Sequence, residues 1–159
     1  MKQYTTIDKT DWGDGPWQHE PDKIVWIDPT TDLDCMIHRG NSGALCGYVG
    51  VSADHPDYGR SAYELEDIDI HGGLSFADRC DDEAREDYGI CHVPEPGRTH
   101  DVWWLGFDCA HAFDVMPKLE SQPYFPLPRE FRAIYRDVAY VIGEVTSLAL
   151  QLANRKEQL

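Results

Sequence analysis

The sequence lacks any long run of apolar residues. No stretch of its 159 residues approaches the roughly 20 apolar residues that a helix needs to cross a bilayer. Its first residues also show no apolar segment of the kind that a secretory signal contains. We therefore expect no contact with a membrane, and we expect the protein to act in the cytoplasm.

Basic residues are scarce. Lysine and arginine together number 14, whereas aspartate and glutamate number 29, so the formal net charge is −15. Because such a surface repels a phosphate backbone, the composition argues against direct binding of nucleic acid. The same charge fits either an ordinary solvated surface or a protein that imitates a polyanion and occupies a basic groove on a partner.

Cysteine is too irregular in number and spacing for a disulfide framework. The chain has five cysteines, which is an odd number, and no secretory signal accompanies them. None of them has the paired C-x₂-C spacing of a zinc knuckle. We therefore expect thiols or metal ligands at all of these positions, which are Cys35, Cys46, Cys80, Cys91 and Cys109.

Internal repeats and low-complexity tracts are absent as well. Hydrophobic residues make up 42% of the chain, and aromatic residues make up 11%. This composition excludes disorder of the whole chain. The length predicts one domain, residues 1–159, with enough buried surface to fold without disulfide bonds.

Alternating apolar residues predict a β-sheet. We expect strands at 23–28, 33–38 and 44–51, arranged as a meander, and a further strand at 65–73, where "LEDIDIHGG" alternates polar and apolar residues. The segment 102–109, "VWWLGFDC", is apolar on both faces, so we expect it in the middle of the sheet.

The other segments complete the predicted architecture. Residues 1–22 form an irregular lead-in, and residues 77–100 form a long acidic loop. Residues 130–157 contain apolar side chains at steps of three and four, which predicts an amphipathic C-terminal helix. Since no crossover helices precede it, we predict an α+β fold, with the helix packed across one face of an antiparallel sheet.

Chemically reactive side chains gather at the ends of two predicted strands. His71 lies at the end of one, and Asp108, Cys109 and His111 lie at the end of the other. If both ends lie on one rim of the sheet, these four side chains form a pocket. We therefore predict a catalytic site for a small-molecule substrate there.

Two chemistries fit these residues. In the first, His71, His111 and Asp108 bind zinc or another divalent ion, which acidifies a water molecule for hydrolysis or group transfer. In the second, Cys109 is the nucleophile, a histidine is its base, and Asp108 or Asp114 orients that histidine. A structural interpretation is also open, in which Cys109 is a buried apolar residue and Asp108 caps a turn.

Three further residues are predicted to contact a ligand. Gly72 and Gly73 follow His71 directly, and without a Cβ atom they allow backbone or a ligand to approach closely. Their amides can also bind an anion. His55 lies in a loop and is expected either to cover the pocket or to be an ordinary solvated histidine.

The predicted acidic loop holds a second set of possible metal ligands. Cys80, Cys91 and His92, joined by Cys35 or Cys46, could bind zinc and so fix the loop to the sheet. The alternative is that the cysteines of the loop pack beneath it as small apolar residues.

Several ordered segments carry a resemblance. "CGYVGVSADHPDYG", "DIDIHGGLSF" and "VWWLGFDCAHAFD" are similar to a widespread group of small proteins of tailed phages, prophages and plasmids, and the likeness covers about residues 20–152. It implies an accessory role in host metabolism or host defence and no particular catalytic residue.

Three functional hypotheses remain open. The first is a small metal- or thiol-dependent enzyme. The second is an acidic inhibitor of a host defence or nucleic-acid-binding protein, with 64–69 and 81–87 as contact patches. The third is a structural component.

Overall fold

The fold is built on an antiparallel sheet and one long helix. A computed structural model of the protein describes residues 1–80, 85–125 and 133–157. Within these ranges the strands are β1 Lys2–Tyr4, β2 Lys23–Ile27, β3 Asp34–Arg39, β4 Leu45–Ser52, β5 Phe76–Arg79 and β6 Val102–Asp108. The helices are α1 Pro117–Glu120 and α2 Val138–Glu157, and short 3₁₀ turns cover Thr10–Trp12, Pro16–Gln18 and Ala62–Leu65.

The sheet has the strand order β1-β2-β3-β4-β6-β5, and every neighbouring pair is antiparallel. Strands β2, β3 and β4 form the predicted meander at nearly the predicted positions. The α+β prediction is confirmed, since α2 packs against one face of this sheet. No helix in the described ranges is long and apolar enough to cross a bilayer.

Each face of the sheet has its own core. On one face, α2 buries its apolar stripe against the strands, and this stripe consists of Val141, Val145, Leu148, Ala149 and Leu152. On the other face, the loop that follows β5 covers a smaller cluster formed by Val25, Met36, Tyr48, Val102 and Trp104. The alternation of β6 is therefore as predicted, because Leu105 and Phe107 face the helix while Trp104 faces away.

The strand predicted at 65–73 was wrong. Its first residue ends the 3₁₀ turn Ala62–Leu65, and turns follow. Side chains of α2 take the place of a neighbouring strand: the amide of Asp69 donates to Gln151 Oε1 at 2.9 Å, and the amide of His71 donates to Glu144 Oε2 at 2.9 Å. Ile68 is nevertheless buried as the alternation implies, but Leu65, which strict alternation would place on one face with the exposed Asp67, is buried as well.

The place of one strand in the sheet and three element boundaries also differ from the sequence predictions. Strand β6 lies between β4 and β5, one place from the edge, rather than in the middle of the sheet. The predicted acidic loop 77–100 begins as the edge strand β5, and the lead-in 1–22 contributes the opposite edge strand, β1. The helix predicted at 130–157 begins at Val138; residues 130–132 lie outside the described part of the chain.

The start of α2 has a local cause. The Asp137 carboxylate accepts a hydrogen bond from the Tyr140 amide at 2.8 Å, as an N-cap residue does. Glu20 Oε1 accepts the Val138 amide at 3.0 Å, so the lead-in also helps to begin the helix. These bonds satisfy amides of the first turn, which have no partner within the helix itself.

Buried ion pairs hold the lead-in against the sheet. The Asp22 carboxylate accepts hydrogen bonds from Lys9 Nζ at 2.7 Å and from Arg39 Nε at 2.9 Å. Burial opposes the charge of Asp22, but its bonds to Lys9 and to backbone amides outweigh that effect and lower its pKa. Removing one of these partners would leave a buried charge uncompensated.

Candidate metal centre

Three ligand-type side chains converge beside the first turns of α2. His71, His111 and Asp114 each offer one ligand atom, and these atoms lie within 4.8 Å of one another. The centre of the group is Asp114 Oδ2, which lies 2.8 Å from His71 Nε2 and 3.3 Å from His111 Nδ1. We call these three residues the His–His–Asp site.

Two tight turns bring the three residues together. His71 lies in the turn before β5, where the Gly73 amide donates to the Ile70 carbonyl at 2.9 Å. The other two ligands share the turn after β6, where the Asp114 amide donates to the His111 carbonyl at 2.9 Å. The two chain segments that the sequence analysis supposed to meet therefore lie close together, although the first is a turn and not the predicted strand end.

Gly72 makes the meeting of the turns possible. It has a φ angle of +68°, and a Cβ atom there would lie 2.1 Å from Cε1 of the His111 ring. The group that approaches this glycine closely is the His111 side chain, whereas the sequence analysis expected backbone or a ligand. Gly73 has a φ angle of +82° with open space around it. Its amide is already bonded to Ile70, so it is not available to bind an anion.

Residues around the site fix its ligands. His71 Nδ1 lies 2.9 Å from the Tyr140 hydroxyl, and Arg136 Nε donates to Asp114 Oδ1 at 2.9 Å. The His111 amide donates to Asp114 Oδ2 at 3.1 Å. Hydrogen bonds of this kind orient metal ligands in proteins and set the tautomer of a histidine.

The environment keeps Asp114 ionised. Its side chain is only 1% exposed, and burial alone would raise its pKa. Hydrogen bonds from His71, Arg136 and the His111 amide outweigh burial, so the pKa of Asp114 lies below its ordinary value. In contrast, the His111 side chain is 41% exposed, which leaves one side of the site open to solvent.

The separations of the ligand atoms are compatible with an ion between them. Around an ion with bonds of about 2.1 Å, tetrahedral ligand atoms lie about 3.4 Å apart. The 3.3 Å from Asp114 Oδ2 to His111 Nδ1 is close to this value, whereas the 2.8 Å to His71 Nε2 is a hydrogen-bond distance, so this second pair would have to separate to admit an ion. Both imidazoles would present lone pairs to the ion if their protons moved to the other ring nitrogen, and for His71 that nitrogen faces the Tyr140 hydroxyl.

Asp108 does not join the site, contrary to the prediction. Its carboxylate accepts hydrogen bonds from Ser75 Oγ at 2.8 Å and from the Ala110 amide at 3.0 Å, so it caps a turn. The reason is the alternation of β6, which directs Asp108 to the same face as Trp104, away from α2. Asp114, which the sequence suggested only as an orienting group, supplies the carboxylate instead.

Cys109 is a poor nucleophile in this structure. Its side chain is buried in the core beneath α2, and burial raises the pKa of its thiol well above the ordinary value. Since the thiolate is the nucleophilic form, this environment disfavours the thiol chemistry predicted from the sequence. For the metal chemistry, the three side chains of the His–His–Asp site lie close enough together to hold an ion.

His55 does not cover the site. It is buried at the other end of α2, where its Nδ1 accepts the Asp57 amide at 3.1 Å and its Nε2 lies 2.9 Å from the Leu152 carbonyl. Both ring nitrogens therefore have partners, one within the loop and one on α2. His55 also borders a cleft of about 400 Å³, but none of the three ligands of the His–His–Asp site lines that cleft.

The second predicted metal site is not formed. Cys80 and Cys91 are joined in a disulfide, with their Cα atoms 4.8 Å apart, so their sulfur atoms do not act as metal ligands. The expectation of thiols was wrong at these two positions because it rested on composition, whereas pairing depends on proximity. His92 lies beside them, and its buried Nε2, which has no hydrogen-bond partner among the described residues, is 3.8 Å from Asp34 Oδ1.

The remaining cysteines are free and shielded. Cys35 is buried and Cys46 is half-buried, and burial raises the pKa of the Cys46 thiol to about 11. Neither belongs to the His–His–Asp site, which is the one group of three or more such ligands in the described ranges.

Sequence reasoning missed the residues that surround the ligands. Arg136, Tyr140 and Glu144 were regarded only as parts of a helix or its approach. Tyr140 and Glu144 are four residues apart on α2, and this spacing places both on the helix face that meets His71. The H-x₂-D spacing of His111 and Asp114 was the available signal for the carboxylate ligand.

Comparison with known proteins provides no independent assignment. The chain matches no protein-family model, no curated protein and no solved structure. The resemblance to proteins of phages and plasmids therefore stays a prediction, and the function must be argued from the site.

Proposed function

We propose that the protein binds a divalent transition-metal ion, with zinc as the first choice, through His71, His111 and Asp114. We further propose that it acts in the cytoplasm as a hydrolase or transferase on a small molecule. The observation that supports this proposal is the convergence of both imidazole nitrogens on one carboxylate oxygen, at 2.8 and 3.3 Å. Two nitrogen ligands and one oxygen ligand suit zinc, and they also suit iron(II).

Three protein ligands leave a coordination position for water or substrate. In zinc enzymes, such a bound water loses a proton near neutral pH and becomes a nucleophile. In this chain, Tyr140 holds the ring of His71 and Arg136 holds the carboxylate of Asp114, so both ligands are positioned in advance. The exposed side of His111 offers a path for a substrate.

Metal binding by the purified protein tests the proposal. We expect calorimetry to show one zinc ion bound per chain, and cobalt(II) should give the absorption bands of a low-coordinate site. The variants His71→Ala, His111→Ala and Asp114→Asn should each weaken zinc binding by about a hundredfold, because each removes a ligand or its charge. The exposed His100 lies outside the site, so His100→Ala is the matched control.

Two results would overturn the proposal. One is a wild-type protein that binds neither zinc nor iron(II). The other is a set of folded ligand variants that bind zinc as tightly as His100→Ala does. Circular dichroism of each variant distinguishes loss of a ligand from loss of the fold. Since Asp114 is buried among charged partners, His111→Gln serves as a milder ligand variant.

A second candidate function is an acidic inhibitor of a basic host protein. The net charge of −15 supports it, and the acidic side chains of segment 64–69 are all exposed. In the other predicted patch, 81–87, residues 81–84 lie outside the described part of the chain. Glu86 of that patch pairs with Lys2 and Asp87 pairs with Arg85, so the patch is already partly neutralised.

A further inference from the structure

The geometry points to Arg136 as the residue that selects a phosphoryl-bearing substrate at the His–His–Asp site. This inference rests on the proposed metal site and adds the chemical class of the substrate to it. Three observations support it. Arg136 has hydrogen-bond donors that it does not use, it bonds to Asp114 of the His–His–Asp site, and the charge around Arg136 favours an anion.

Arg136 has hydrogen-bond donors that it does not use within the described part of the chain. Its Nε donates to Asp114 Oδ1, and its guanidinium group lies over the ring of Tyr140, 4.7 Å from the ring centre. In the described part of the chain, the Nη1 and Nη2 atoms have no hydrogen-bond partner. The side chain is 21% exposed, so these donors can reach a bound molecule.

Asp114 connects the guanidinium group to the proposed ion. One carboxylate oxygen faces both histidines, and the other faces Arg136. The guanidinium group is therefore separated from the proposed ion by a single carboxylate group. The stacking of Arg136 on Tyr140 limits the movement of the guanidinium group and lowers the entropy lost when it binds an anion.

The charge around Arg136 favours an anion. Arg136 balances Asp114, so a divalent ion would give the His–His–Asp site and Arg136 together a net positive charge. The carboxylates of Glu144 and Asp137 keep their negative charge, but each is directed at a backbone amide, of His71 and Tyr140 respectively, and in the described part of the chain neither is bonded to Arg136. A local positive charge beside a metal ion is a common arrangement for holding phosphoryl groups.

A phosphoryl group fits this arrangement better than a carboxylate does. It has enough oxygen atoms to give one to the ion and others to the planar guanidinium fork, whereas a carboxylate bound by the fork has none left. The corresponding reaction is hydrolysis of a phosphate ester. The water oxygen forms a bond to phosphorus, the bond from phosphorus to the ester oxygen breaks, and a proton from the water passes to the leaving alcohol.

Titration with inorganic phosphate tests the inference separately from the metal site. Zinc binding is measured first for wild type, Arg136→Gln and Arg136→Lys, and phosphate is then added to each zinc-loaded protein. We expect Arg136→Gln to weaken phosphate binding at least about tenfold, since it removes charged hydrogen bonds. Arg136→Lys should restore part of the affinity because it keeps the charge but lacks the fork.

Controls separate the possible outcomes. Arg79→Gln changes the net charge equally at an exposed position outside the site, and it should bind phosphate as wild type does. Acetate replaces phosphate in a parallel titration and should bind more weakly. If zinc does not bind to wild type, the metal site fails and the inference fails with it. If zinc binds but phosphate binds equally to Arg136→Gln, or acetate binds as tightly as phosphate, the inference alone is overturned.

Discussion

At the scale of single residues, Gly72 determines whether the two histidines can come together. The His111 ring lies directly over its Cα atom, in space that any side chain would fill. Its positive φ angle of +68° adds a second reason for glycine at this position. Gly72 would not bind the ion itself, but it controls the geometry of the proposed metal site.

Replacement of Gly72 by alanine should displace His111. The new methyl group would lie 2.1 Å from the ring, so the ring must move away from Asp114. We expect zinc affinity, measured by calorimetry, to fall at least about tenfold, with a loss of unfolding free energy of about 1–3 kcal/mol from backbone strain. Gly73→Ala is the matched control because it carries similar strain at a φ of +82° with no ring in the way. Equal zinc affinities in both variants would contradict this account.

Lys23 is a buried lysine whose protonation is expected to affect the stability of the protein. Its side chain is 1% exposed, and its ammonium group donates to the Cys91 carbonyl. Burial lowers its pKa from 10.5 to about 8, even though Glu86 and Asp87 oppose the shift. The unfolded chain therefore holds this proton more tightly than the folded protein between pH 8 and 10.5.

This difference predicts a pH dependence of stability. Because the unfolded state binds more protons in that window, the contribution of Lys23 to the unfolding free energy should rise with pH through it. Compared with Lys23→Met, wild type should gain about 2–3 kcal/mol between about pH 7.5 and pH 10. Urea unfolding of both proteins measures the gain, and the comparison cancels the other titrating groups. A constant difference between the two proteins would show that Lys23 does not titrate in this window.

At the scale of elements, period and length determined which predictions succeeded. Strands β2, β3 and β4 and helix α2 were predictable because their apolar residues repeat with the period of the element. Segment 65–73 also alternates, yet side chains of α2 bind its backbone, so no strand forms. Alternation reports which side chains are buried, whereas a strand also needs a neighbouring backbone.

Whether the short strands form, and where α2 begins, depends on contacts with residues that are distant in the sequence. Strand β1 exists because it pairs with β2, about twenty residues later, and β5 exists because it pairs with β6. Neither segment has enough apolar residues to predict a strand by itself. The beginning of α2 is likewise set partly by Glu20, which is far away in sequence.

At the scale of the whole molecule, the charge of −15 shapes any association. An inhibitor that uses segment 64–69 to occupy a basic groove should lose its partner steeply as ionic strength rises from about 0.05 to 0.15 M. The double variant Glu66→Lys and Asp69→Lys should abolish binding, and His71→Ala should keep it. Affinity capture of a host protein at both salt concentrations measures this. Binding that ignores both salt and charge reversal would rule out the electrostatic inhibitor.

The candidate site was only partly predictable from the sequence. His71 and His111 were predicted to share a site on the condition that their two segments end at one rim of the sheet. Asp108 and Cys109 were assigned wrongly because one faces away from α2 and the other is buried beneath it. Spacing along the chain could not reveal Arg136 and Tyr140, because they reach the site only when the helix docks.

The sequence by itself determined the acidic surface, the α+β class and the main strands and helix, because composition and periodicity are local properties. Only the tertiary structure decided which carboxylate faces the histidines, which cysteines pair and which arginine lies beside the site. These choices depend on the face that each side chain occupies and on contacts between segments far apart in the chain. The packing of α2 across two turns of the sheet's rim is what brings those segments together.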